Sequence, residues 1–229
     1  MRALVLWQAA AMRIGILGGT GPAGMALGAR FASLGHEVVL GSRAKERAVE
    51  ARDGVLARWP DLDLPIDGGD NEAAAAAEIV VVATPWEGAA PTAAALEPTM
   101  RGKVVVSMAN ALVRVGNEFE PLVPPRGSVA AHVQAALPGS FVVAAFHHLP
   151  ARELGALDHP LASDILVCSD HQDALEQVMA LGAAIPGCRS LDAGSLSNAA
   201  AIEAFTAVLL QLNVRYRTRV APQLSGIPS

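Results

Sequence analysis

Six residues near the start of the chain, Gly19-Thr20-Gly21-Pro22-Ala23-Gly24, have the spacing G-x-G-x-x-G. A turn of this kind can bring bare backbone N–H groups against the oxygens of a pyrophosphate. Gly21 is where the backbone must approach the ligand, Gly24 is small enough for a helix to pack on the preceding strand, and Pro22 suits a first helical turn. At the end of the next strand, about 20 residues beyond the turn, NAD enzymes place an acidic residue on the ribose 2′-hydroxyl. Here the sequence reads Gly41-Ser42-Arg43. A carboxylate would repel a 2′-phosphate, whereas a hydroxyl and a guanidinium can bind it through charge-assisted hydrogen bonds. The reading is therefore NADP. Lys45 and Arg47 can add positive charge or simply begin a solvated helix.

Glycine-rich turns also occur as plain flexible loops, so the surrounding elements decide. Ile14 to Leu17 is a short apolar run of the kind found in a strand buried on both faces. A helix through Met25, Leu27, Phe31 and Leu34 follows, stops at Gly35, and leads into a second strand, Glu37 to Leu40. This is a complete β-turn-α-β unit. The pattern then repeats, with a helix over Ala44 to Arg58, a polar glycine-containing stretch over Asp61 to Asp70, and an alanine-rich helix around Asn71 to Glu78. Strands are expected at Ile79 to Ala83, Lys103 to Ser107 and Phe141 to Ala145, with helices at Glu87 to Leu96 and from Ser128 to Leu137. The fold class is α/β, a Rossmann-like doubly wound and mostly parallel sheet.

Open sheets of this class bind ligands beyond the carboxyl ends of their strands. That edge would carry Pro85 and Trp86, Asn110, and the run Phe146-His147-His148-Leu149-Pro150. Trp86 can face the cofactor or pack a helix on the sheet. Asn110 can offer its amide to a ligand, while Asn117 reads as a turn residue in a loop, Ala111 to Gly127, without clear period. His147 is a candidate hydrogen-bond donor. Adjacent histidines point to opposite sides of an extended chain, so they make a poor metal pair, and no metal site is expected.

Past Pro150 the rhythm changes to a strand, Asp164 to Cys168, a helix, Gln172 to Leu181, a strand, Arg189 to Asp192, and a long helix from Ser197 to Arg217. In that helix Ile202, Phe205, Val208, Leu209 and Leu212 form one apolar face, expected to pack on the main domain or on a second copy. The expected organisation is an extension over residues 1–11, an NADP-binding domain over 12–150 and a smaller α/β part over 151–229.

With 229 residues, 52% of them apolar, the chain can bury a substantial core. A net charge of -5 gives no electrostatic footprint for nucleic acid. No stretch reaches the 18 or more apolar residues of a membrane span. Cys168 and Cys188 are far apart and outside any ligand spacing, as in a cytoplasmic protein without disulfides.

The blocks GILGGTGPAGMALGARFASLGHEVVLGSR, VATPWEGA, GKVVVSMANAL, VVAAFHHLPA and LDAGSLSNAAAIE occur in one order from Met12 onward. In this the chain resembles the F420H2:NADP oxidoreductases. The resemblance implies a homodimeric reductase passing a hydride between NADP(H) and coenzyme F420, a 5-deazaflavin. It further implies Thr20, Ser42, Arg43 and Arg47 at NADP, Pro85 and Trp86 beside the nicotinamide, and Asn110, His147, Leu149 and Pro150 around the deazaflavin. The chain departs from the pattern in its extension, at His148 and at Ala109-Asn110.

Chemical groups that other reductases need are missing. The single tyrosine, Tyr216, has Val220 where a Tyr-x-x-x-Lys pair needs lysine, and the lysines Lys45 and Lys103 both precede the later part where hydroxyacid dehydrogenases use one. No G-x-S-x-G frames a serine. Two stacked two-electron carriers exchanging a hydride need no such group, so no catalytic side chain is assigned. Alternatives are an NADPH-dependent imine or pyrroline-type reductase and a non-catalytic NADP-sensing protein.

Overall fold

The computed structural model describes residues 11–227. The extension expected over residues 1–11 therefore lies outside them apart from Ala11, and β1 begins at Arg13.

Eight strands form the main sheet: β1 (Arg13–Leu17), β2 (Glu37–Ser42), β3 (Ile66–Asp70), β4 (Ile79–Val82), β5 (Val104–Ser107), β8 (Phe141–Ala144), β9 (Ser163–Ser169) and β10 (Cys188–Asp192). A separate antiparallel hairpin consists of β6 (Leu112–Val115) and β7 (Glu118–Pro121). The helices are α1 (Pro22–Ser33), α2 (Lys45–Arg58), α3 (Asn71–Ala75), α4 (Trp86–Ala95), α5 (Glu97–Met100), α6 (Val129–Ala136), α7 (Ala151–Leu154), α8 (Gln172–Ala183) and α9 (Ala199–Tyr216). Among the described residues, no helix is long and apolar enough to cross a membrane.

The strand order is β10-β9-β8-β5-β4-β1-β2-β3. All neighbours are parallel except β8 and β9, which run antiparallel. From β1 the chain builds outward one way through β2 and β3, then the other way through β4, β5 and β8. The point of reversal lies between β1 and β4, where such sheets open a crevice beyond their carboxyl ends. The sheet continues past residue 150, since β9 pairs with β8. Helices on the two faces bury two apolar clusters, one around Ile14, Ile16, Leu27, Phe31 and Phe146, the other around Leu17, Val80, Val82, Val105 and Val142. Alternate residues of one strand supply the two clusters, as a sheet covered on both faces requires.

Two stretches read as loops are strands. In β3, which reads IDGGD, Gly68 lies so close to α2 that a Cβ would stand 2.5 Å from the Ala48 backbone. The glycines that look like a turn are there to admit a helix. The stretch after Asn110 is the β6–β7 hairpin, whose two-residue Gly116-Asn117 turn has Gly116 at φ 61, as a primed hairpin turn demands.

The apolar face expected on α9 is also revised. Ile202 and Leu209 are buried, but Phe205 and Val208 are exposed, and their places inside are taken by Glu203 and Thr206. The reason is the start of α6. Ser128 caps it by accepting from the Ala131 N–H, leaving two further N–H groups inside the protein. Val129 and Ala130 donate these to the Glu203 carboxylate at 2.8 and 3.1 Å.

Burial pushes the Glu203 carboxyl up to about 7, against the pull of those two hydrogen bonds. A folded pKa above the unfolded value contributes stability that is complete below about 4.5 and lost as pH rises through about 7. Stability should therefore fall between these limits by about 2 to 4 kcal/mol from this group. Glu203→Gln should flatten that part of a denaturation profile taken from pH 4.5 to 8, and an unchanged slope would show that Glu203 titrates normally.

Candidate functional site

The G-x-G-x-x-G turn joins β1 to α1 at the point of reversal, and its geometry follows from contacts. Gly18, just before the motif, has φ +74, and a Cβ there would lie 2.9 Å from the Thr84 backbone at the end of β4. A Cβ on Gly24 would meet the Gly18 carbonyl oxygen at 2.9 Å. Gly21 differs. It is the N-cap of α1, with φ -77 and ψ 157, and a Cβ there would touch only the Gly18 oxygen, at 3.5 Å. The space over Gly21 is open, and no side chain caps the helix end. This opening lies at the N-terminus of α1, where the positive end of the helix favours an anion.

That opening is part of a cleft of about 720 Å³ lined by Thr20, Gly21, Ser42, Arg43, Arg47 and Pro85, together with Gly18, Asn71, Thr84 and Thr92. Six of the residues expected to bind cofactor are thus brought together. No Asp or Glu lines the cleft. Ser42 Oγ accepts from the Ala44 N–H at 3.3 Å, which leaves its proton free to donate. Arg43 and Arg47 stand exposed at the mouth. Asn71 Oδ1 and Thr84 Oγ1 are buried with no hydrogen-bond partner, an arrangement costly enough that a polar ligand is its natural complement. Asn71 and Thr84 were not identified from the sequence. Asn71 follows β3, and with that strand read as a loop nothing placed it at the edge of the sheet.

The remaining expected residues lie elsewhere around this edge. Gly19 is buried, donating its N–H to the Ile16 and Gly41 carbonyls. Pro22 lines a different, apolar groove of about 470 Å³ between α1, α2 and α7. Trp86 begins α4 and is partly buried, with one side against the core. Asn110 Nδ2 donates to the His147 carbonyl oxygen at 2.7 Å, so its amide group is already engaged, while Oδ1 is buried and unpartnered. Leu149 belongs to the core cluster and Pro150 is the N-cap of α7.

The His147-His148 pair is not in extended chain. Phe146 has φ 64, and the chain turns there. The rings meet edge to face, with centroids 5.2 Å apart. His148 Nε2 lies 3.1 Å from the Asp164 carbonyl oxygen and 3.2 Å from the Leu166 nitrogen, and its tautomer decides which bond forms. It joins the turn to β9. Neither ring nitrogen of His147 has a hydrogen-bond partner. Burial, reinforced by His148, pushes His147 down to about 3, while the Ala145 carbonyl pulls weakly the other way without meeting hydrogen-bond geometry. The imidazole is neutral throughout the physiological range.

Arg30 fixes this region to α1. Buried to 2% exposure, it donates from Nε to the Leu154 carbonyl at 2.9 Å and from a terminal nitrogen to the Ala156 carbonyl at 2.6 Å. Leu154 ends α7 and Ala156 lies two residues beyond it, and Arg30 gives both carbonyls a donor. Apolar spacing on α1 gave no sign of this role.

A family model described as NADP oxidoreductase coenzyme F420-dependent matches residues 13–111. The F420-dependent NADP reductase of Methanocaldococcus jannaschii is 37% identical over 213 residues, which cover 91% of this chain and 95% of that protein. The F420-dependent NADP reductase of Methanothermobacter thermautotrophicus is 36% identical over 219 residues, covering 92% and 93%. The crystal structure of a putative F420 dependent NADP-reductase from Arthrobacter sp. FB24 superposes with a TM-score of 0.75 at 26% identity, covering 91% of this chain and 96% of that one. With similarity sustained over nine-tenths of its length, beyond the glycine turn that many nucleotide-binding proteins share, the chain belongs to the F420-dependent NADP reductase family.

Proposed function

We propose that this protein is a cytoplasmic, homodimeric oxidoreductase that transfers a hydride directly between NADP(H) and coenzyme F420. The observation that carries the reading is the cleft at the point of sheet reversal. It joins an open glycine turn to Ser42, Arg43 and Arg47 without a carboxylate.

The residues present fit both coenzymes. The amides of the first turn of α1 would hold the pyrophosphate, and Ser42, Arg43 and Arg47 the 2′-phosphate, with Thr20 beside them. Pro85 and Trp86 would form the wall against the nicotinamide. The second group of residues comes from the ends of β5 and β8, where Asn110 Oδ1, Ser107 Oγ and both His147 ring nitrogens are buried without partners. These atoms can hydrogen-bond the polar edge of a heteroaromatic ring, and Leu149 and Pro150 add apolar surface. When bound, the reduced nicotinamide supplies the hydride and the oxidised deazaflavin accepts it, or the reverse. The neutral His147 orients a ring and does not relay an obligatory proton. Residues 12–150 would serve as the NADP-binding part and 151–229 as a smaller part beside the second coenzyme. The exposed apolar side chains of Val113, Val115, Phe205 and Val208 offer a surface to a second copy, which sedimentation would detect. The partners are small-molecule coenzymes, without nucleic acid or membrane.

Mixing the protein with NADPH and oxidised F420 and following the deazaflavin absorbance tests the activity. Arg43→Ala should weaken NADPH binding by about 10- to 100-fold, the range for a hydrogen bond to a charged group, with NADH binding little changed. Equal affinity of the unmodified protein for NADPH and NADH would refute the assignment.

Gly21→Val should fold, because its backbone is extended and a Cβ meets only one ordinary contact. It should lose nucleotide binding through steric exclusion of the pyrophosphate. Normal NADPH affinity in the folded variant would place the phosphates elsewhere.

His147→Ala should weaken deazaflavin binding and lower turnover about 10- to 100-fold, less than the loss of an essential acid-base group can cost. Deuterium from the transferred position of NADPH should appear in the reduced deazaflavin without exchange into solvent. Label lost to water, or no activity in folded His147→Ala, would rule out direct transfer.

A further inference from the structure

The chain has a net charge of -5, yet one corner of the ligand-facing edge is strongly basic. Arg152 on α7 and Arg217 and Arg219 beyond α9 line a single polar cavity of about 490 Å³ with Glu153 and Thr218. All three arginines are exposed, and among the described residues none forms an ion pair. The one carboxylate present, Glu153, is turned to His159 at 3.4 Å.

Topology explains how segments far apart in sequence meet here. β9 is antiparallel to β8, so β9 and β10 end on the opposite edge of the sheet from the turns after β1, β4, β5 and β8. The 18 residues of α9 then run back, a travel of about 27 Å. Their carboxyl end reaches the ligand edge, beside α7, which begins directly after Pro150.

Hydrogen bonds tie the backbone of this corner to its neighbours. Thr218 donates its N–H to the Asn213 carbonyl at 3.3 Å, and Val220 donates to Asn213 Oδ1 at 2.6 Å. The following segment is tied to β9, where the Asp164 N–H donates to the Pro222 carbonyl at 2.7 Å. Asp164 is itself gripped by Arg189 through two bonds of 2.8 Å. Arg217 is held at φ 52, one of two non-glycine residues at positive φ among those described. The other is Phe146, which turns the chain into His147. Arg217 is the C-cap of α9, and its left-handed conformation is a common way to end a helix.

We infer that Arg152, Arg217 and Arg219 form an anion subsite for the phosphate- and carboxylate-bearing tail of the deazaflavin coenzyme. The inference rests on the proposed function and extends it to the part of the coenzyme remote from the reacting ring. The site is distinct from that for the 2′-phosphate, because Arg43 follows β2, four strands from β8, a separation of about 19 Å. Three guanidinium groups lining one cavity favour an anion of several charges over a single small ion, and their attraction is weakened by salt.

The test compares the unmodified protein with a triple variant, Arg152→Gln with Arg217→Gln and Arg219→Gln. Equilibrium dissociation constants are measured by fluorescence for complete F420, for its tail-free deazaflavin riboside and for NADPH. The variant should bind complete F420 about 10-fold more weakly, as three exposed ion pairs of modest strength allow, and should bind the riboside and NADPH as before. The advantage of complete F420 over the riboside should also shrink in high salt. Equal affinity of the unmodified protein for the two deazaflavins, or undiminished F420 binding by the variant, would overturn the subsite and leave the proposed function standing. A loss confined to NADPH would assign the arginines to the dinucleotide and overturn it equally. Binding of NADPH but of neither deazaflavin by the unmodified protein would remove the proposed function and the subsite together.

Discussion

The structure depends on how closely the turn after β1 approaches its neighbours. A Cβ on Gly18 would stand 2.9 Å from Thr84, and one on Gly24 would stand 2.9 Å from the Gly18 carbonyl oxygen. A Cβ at either position would push α1 away from β1 or β1 away from β4. Both displacements would move the amides at the start of α1 out of the crevice between the two strands. The cleft, with its opening over Gly21 and its arginines at the mouth, is a consequence of that contact.

Two buried ionisable side chains hold the rest of the ligand edge in place, each by satisfying backbone groups at a helix end. Arg30 donates to the Leu154 and Ala156 carbonyls, at and just beyond the end of α7, and ties the segment after β8 to α1. Glu203 receives the amides at the start of α6 and ties α9 to the same body. Truncating either would leave buried backbone groups without partners, at a cost of about 1 to 3 kcal/mol each. Polar atoms nearer the proposed reaction site are treated differently. Those of Thr84, Ser107, Asn110 and His147 include buried atoms with no protein partner. These two helix ends are closed by side chains, whereas these four residues keep buried donors or acceptors without a protein partner.

The state of His147 bears on the chemistry that edge can support. An imidazole pushed down to about 3 is a poor proton store near neutrality, yet it retains one donor and one acceptor for orienting a ring. Hydride exchange between two planar carriers calls for orientation and exclusion of water rather than proton transfer.

The amino-acid sequence by itself determined the β1-turn-α1-β2 unit, the choice of Ser42 and Arg43 over a carboxylate, most of the later strands and the cap at Ser128. Each is set by neighbours within a few residues, so periodicity and composition carry it. Tertiary structure alone decided that Ile66–Asp70 is a strand, because Gly68 is needed where α2 passes overhead. It also decided that Glu203, rather than Phe205, lies on the buried face of α9, because two amides more than 70 residues away require an acceptor. In the same way it engaged the Asn110 amide with the His147 carbonyl and brought Arg217 back beside Arg152. These outcomes depend on groups distant in sequence that meet only when the sheet closes, and no local pattern records which donor will face which acceptor.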